Sequence, residues 1–195
     1  MEPNRMYTGL SQAAWGYFFI TFDFNLNHVS ILPRFVGYIL LYLAVDKLSQ
    51  ARRDLNLLRP LAVVLICWFF GDWFFTAAGW NLEGRVPFLQ FLSLVVSVCV
   101  LYFHFQFLTD MAALAEGLQP EDDNLAARIR SHRTANTLLL TAVSLLGSAA
   151  QLFPWDWWGG VMAFVAVIGL IVVLMVMMDL FHLRRLVPKL ETGPQ

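Results

Sequence analysis

The chain has 195 residues, 58% of them hydrophobic and only 14% charged, whereas a soluble domain of this size carries about 25% charged residues. Mean hydropathy is +0.62, and the charges fall in short clusters between long apolar runs, the pattern of loops between membrane spans. A net charge of −1 offers no basic face, which excludes nucleic acid as a partner and leaves the lipid bilayer as the expected one.

Nothing in the first residues reads as a cleavable leader. Met1–Arg5 holds one acid and one base, and no small-residue cleavage site follows a short apolar core. The first apolar stretch, Gly9–Val45, is broken by Asp23, Asn25, Asn27 and His28. It is expected to form two helices, at about 9–24 and 33–48, that turn near Asn27, with Pro33 in the first turn of the second. Four further runs, Pro60–Trp80, Pro87–Leu108, Thr134–Phe153 and Gly159–Phe181, are each long enough to span at about 20 residues. The expected fold is therefore an all-α polytopic membrane bundle, one transmembrane domain over residues 1–195. Its helices are expected at about 9–24, 33–48, 60–80, 87–110, 134–153 and 159–182. Between the fourth and fifth, Gly117 is expected to end a helix, and Pro120 with Glu121, Asp122 and Asp123 to open the next.

Six spans put eleven of the thirteen Lys and Arg residues on one side, among them Arg52, Arg53, Arg128, Arg130, Arg133, Arg184 and Arg185. Only Arg34 and Arg85 fall on the other. That bias predicts cytoplasmic termini. A first hairpin that dipped in without crossing would leave the same loops on the same sides. Trp80, Trp155, Trp157 and Trp158 fall at the predicted outer boundary, where indole rings favour the headgroup layer; an interfacial anchor explains them better than a ligand cage. The basic cluster of the 109–133 loop reads first as an anchor to anionic lipid and second as a docking surface for a membrane protein partner.

Polar residues inside hydrocarbon are costly, so each needs a reason. Asp72, within Trp68–Phe75, is the foremost: an interior-facing carboxylate that holds helices together or binds a proton or cation. Asp23 with Asn25, Asn27 and His28 would lie near the outer surface. Turn chemistry accounts for the amides, and no metal-ligand spacing is present. Gln90 joins Ser93, Ser97 and His104 on one helical face, and Thr134, Thr137, Thr141, Ser144, Ser148 and Gln151 form another stripe suited to close helix packing. Near the inner surface, His104, Asp110, Asp179 and His182 are expected to form one polar cluster, with a solvated boundary as the simpler reading. The two cysteines, Cys67 and Cys99, read as small hydrophobes. No HExxH, GxSxG, Walker A, GxGxxG or CxxC motif occurs, so neither an enzyme nor a cofactor is expected.

The segment Ile31-Leu32-Pro33 followed by Gly37-Tyr38 and Leu40, entered from the Asp23–Asn27 helix end, resembles a pattern in an uncharacterised family of small multi-pass membrane proteins of Gram-positive bacteria. Many of those carry an acid after the proline where this chain has Arg34. The resemblance implies a bacterial cell membrane and no particular activity. Size and helix number are also similar to the substrate-binding S-component of energy-coupling-factor transporters, although the alanine-rich signature of its first helix is missing. Three readings follow. One is an outward-facing subunit that binds or transports a small solute or cation through Asp72, Asp23, Gln90 and Gln151. Another is a structural or regulatory subunit of a membrane complex without its own ligand. The third is an intramembrane enzyme.

Overall fold

The computed structural model describes residues 3–21, 25–26, 29–30, 33–79, 87–152 and 156–187. Among them are six α-helices: α1 Pro3–Thr21, α2 Arg34–Leu48, α3 Leu58–Ala77, α4 Pro87–Leu118, α5 Leu125–Leu152 and α6 Trp158–Leu186. A 3₁₀ turn, Arg53–Leu57, leads into α3, and two-residue strands β1 (Asn25–Leu26) and β2 (Val29–Ser30) pair antiparallel. Three segments, Arg53–Ala77, Phe91–Leu118 and Trp158–Leu186, are long and apolar enough to cross a membrane.

The helix ends depart from the sequence expectation for local reasons. α1 begins six residues early, at Pro3, and its last described residue, Thr21, donates its hydroxyl to the Tyr17 carbonyl. α2 starts after Pro33, which is extended and accepts from Val36 N–H. α3 stops at Ala77 because Gly79 takes a left-handed φ of 73°, the geometry that closes a helix C-terminus. Gly117 does not end α4; the helix runs to Leu118 and stops before Pro120. Residues 120–123 make a turn closed by Asp123 N–H on the Pro120 carbonyl. The acidic residues therefore precede α5 instead of filling its first turn, and the Gln119 amide oxygen accepts from Ala126 N–H.

The helices alternate in direction and each packs on the next, with α6 returning to α1. One end of the bundle gathers the start of α1, the end of α2, the start of α3, the α4–α5 turn and the end of α6. This basic end holds every described Lys and Arg except Arg34. Packing is concentrated there. α3 buries Leu58, Ala62 and Leu65 and nothing beyond; α6 buries Val172, Val176, Leu180 and Leu183 and nothing before. Length explains this. At 1.5 Å per residue α1 and α2 are about 28 and 22 Å long, whereas α4 reaches about 48 Å. Towards the opposite end, the long helices outrun the short pair that covers them. Along most of its length α6 exposes the stripe Phe164, Val167, Ile171, Met175 and Met178.

The closest contact in the bundle is between α1 and α2. A Cβ on Gly37 would lie 2.6 Å from Ile20 Cγ1 and 2.8 Å from the Gly16 carbonyl oxygen; one on Gly16 would lie 3.0 Å from the Gly37 carbonyl oxygen. Only residues without a side chain allow backbones so near. Gly37→Ala should therefore destabilise the protein by about 1–3 kcal/mol through overpacking. Gly71→Ala, where a Cβ meets nothing within 4 Å, should be neutral or gain up to about 1 kcal/mol. Unfolding titrations of both variants in bicelles check this; equal effects would contradict the close approach.

Candidate functional site

Since each glycine is followed by a tyrosine, the α1–α2 contact also sets two phenols side by side. Tyr17 and Tyr38 are both 1% exposed and both reach His104 on α4. The Tyr17 hydroxyl lies 3.0 Å from Nδ1 and the Tyr38 hydroxyl 3.3 Å from Nε2. A neutral imidazole has one N–H and one lone pair, so one phenol donates to the ring and the other accepts from it. Tautomer exchange reverses the roles without moving a heavy atom. Tyr38 stacks on Phe69 at 5.0 Å, and Phe103 and Phe107 close the other sides. The triad ties α1, α2 and α4 together by paired polar groups in an apolar surround.

A second network joins α5 to α6 at the basic end. The Asp179 carboxylate, 4% exposed, accepts from Arg128 Nη2 at 2.9 Å and from His132 Nδ1 at 2.6 Å. Arg128 also reaches His182 Nδ1 at 3.1 Å, and His182 Nε2 lies 3.3 Å from Asp123 in the α4–α5 turn. Asp110 stands apart: it accepts from Gln106 at 3.2 Å and faces Arg52 at 3.9 Å. Arg184 closes the ring of helices, donating to Ser11 Oγ at 2.9 Å and lying over Tyr7 and Phe181. The single inner cluster expected from sequence thus divides in three. Asp179 and His182 belong together through Arg128, while His104 and Asp110 each have other partners.

Asp72 departs from its expected place inside the bundle. It is exposed on α3, beyond Leu65, the last fully buried residue of that helix. Asp23, Asn27 and His28 lie outside the described residues. Asn25 is seen only as backbone, opposite Ser30. Gln90 and Gln151 lie on α4 and α5, with their side chains outside the described set. The described α5 hydroxyls do not form a packing stripe. Thr134, Thr141 and Ser144 are exposed, and Thr134, Thr137, Thr141 and Ser144 all donate back to the carbonyl four residues earlier. Among the described residues, no three His, Cys, Asp or Glu side chains are placed to hold a metal ion.

Sequence reasoning did not find a cleft of about 410 Å³ between α5 and α6, with Thr21 at the end of α1 on its wall. Its lining is apolar apart from Thr21 and Asn136, and it has the volume of a small-molecule site. No family model, curated protein or solved structure matches the chain.

Two outcomes test these networks. His104→Leu strands two buried hydroxyls and should cost about 2–4 kcal/mol, whereas adding Tyr17→Phe and Tyr38→Phe should recover part of the loss, because removing all partners leaves no orphan. Arg128→Ala, which strips a buried carboxylate of its cation, should destabilise more than Arg130→Ala. The latter breaks a pair with Glu116 whose side chains are 49% and 47% exposed and should cost less than about 1 kcal/mol. Equal losses for the two arginines in the same unfolding assay would contradict the assignment of Asp179 to the core.

Proposed function

We propose that this is a six-span protein of the bacterial plasma membrane, with both ends in the cytoplasm, that binds a small solute from the outer side as a transport subunit. The orientation is supported by the eleven basic residues on the side that carries the termini. On this reading α1, α2 and α5 cross with the other three, and the β1–β2 hairpin completes the span of the short first pair. The observation that carries the binding reading is the uneven packing. The basic half is closed by Leu10, Leu48, Leu58, Phe107, Met111 and Leu183, each fully buried, whereas the other half leaves a cleft of ligand size. No carboxylate lines that cleft, which favours an uncharged solute over the cation suggested by Asp72. The reading assigns the chain no catalysis.

Asp72 supports a second reading. It is exposed in the last turns of α3, which also expose Phe70, Phe74 and Phe75 around the helix, and this suits a structural subunit whose α3 packs on a larger complex. Single cysteines at Glu83, Asp122 and Val143, with Cys67 and Cys99 replaced by serine, separate the two. An impermeant thiol reagent on intact cells should label Glu83→Cys and Val143→Cys, and reach Asp122→Cys only after permeabilisation. Reversed labelling at Glu83 and Asp122 would overturn the orientation. A Val143→Cys protected from both sides would favour the structural subunit.

A further inference from the structure

The cleft has a polar feature that narrows what it takes. Asn136 lines it, is only 6% exposed, and makes no side-chain hydrogen bond among the described residues. Its amide borders the cleft in an otherwise hydrocarbon wall, where a bound molecule that pairs with it gains a hydrogen bond the wall cannot supply. The other polar lining group, the Thr21 hydroxyl, donates to the Tyr17 carbonyl at 2.8 Å. The remaining wall is hydrocarbon: Leu139, Leu140 and Val143 from α5, and Val165, Leu170 and Val173 from α6. Gly169 sits in the same wall, and a Cβ there would meet no atom within 4 Å, so its backbone borders open space.

We propose that this cleft binds an uncharged, single-chain amphipathic molecule, with its hydrocarbon body against α5 and α6 and one carbonyl oxygen accepting from the Asn136 amide. The inference rests on the binding reading above and names the ligand class. A carboxylate or ammonium is excluded because no lining residue carries a charge to replace its lost hydration. A bilayer phospholipid is disfavoured on the same ground, since its headgroup charges find no partner in the lining. A bare alkane fits the wall but leaves Asn136 unpaired.

The test uses the full chain in phosphatidylcholine nanodiscs with diazirine-bearing photoprobes: methyl decanoate, decanoate, decane and a phosphatidylcholine. Adducts are mapped by peptide mass spectrometry. Methyl decanoate should label the segments 136–143 and 165–173 in preference to the exposed faces of α3 and α4, and decanoate should not. Asn136→Leu should lower labelling by the ester about fivefold, the equivalent of one hydrogen bond, and leave labelling by decane unchanged. Gly169→Phe, whose Cβ would meet no atom within 4 Å, should reduce labelling by both to background. Labelling spread evenly over the lipid-facing helices, or an ester signal indifferent to Asn136→Leu, would overturn the proposal. Equal labelling of the cleft by the phosphatidylcholine probe would overturn it in favour of a bilayer lipid. Ester labelling that depends on Asn136 in a protein whose Val143→Cys is closed from outside would retain this ligand class and reject only outward access.

Discussion

The near-contact of the α1 and α2 backbones at Gly16 and Gly37 is the constraint from which the rest of the bundle follows. Each glycine carbonyl occupies the place that a side chain of the other would need. Because a tyrosine follows each glycine, the same approach delivers two hydroxyls to the two nitrogens of one histidine on α4. In an apolar medium those groups have little else to bond, so the triad selects one arrangement of three helices out of many with similar apolar contact. A side chain at either glycine would push the helices apart and part the tyrosines from the ring.

This α1–α2 unit is short, and its shortness shapes the two halves differently. Beside it, helix ends are tied in pairs, α5 to α6 by Arg128 and His132 on Asp179, α6 to α1 by Arg184 on Ser11, and α3 to α2 by Arg59 on Asp46. Arg128, Arg184 and Arg59 each lie near a helix end, where a guanidinium can meet a carboxylate or hydroxyl and still reach water. Towards the other end α5 and α6 continue side by side, and the cleft with Asn136 lies between them with Thr21 of α1 on its wall. Closed packing at the basic end thus stands against an open site between the two long helices.

The existence and order of the helices were legible in the sequence, because apolar runs of membrane length and a Lys/Arg bias are strong one-dimensional signals. α4 and α6 begin within one residue of expectation, at Pro87 and Trp158. Helix faces were not legible. α3 is apolar all round, so no periodicity says which side has a neighbour, and Asp72 was assigned inward on cost alone. Its outward position follows from where α3 loses its packing, a tertiary fact. Sequence singled out His104 as a polar group in need of a partner, but Tyr17 and Tyr38 lie 87 and 66 residues away, and only the paired Gly-Tyr steps hint at them. Asn136 was missed because it falls among the threonines and serines of α5, which satisfy themselves on their own backbone.

The central claim is that the glycine contact positions the tyrosines on His104, so the two features are one energetic unit. The most direct measurement is a double-mutant cycle between Gly37→Ala and His104→Leu, by unfolding in bicelles. Residues acting through one shared arrangement should couple, so the double variant should lose at least about 1 kcal/mol less than the two single losses added together. Additivity within about 0.5 kcal/mol would show the glycine contact and the triad to be independent, and would contradict this account of how the bundle is held.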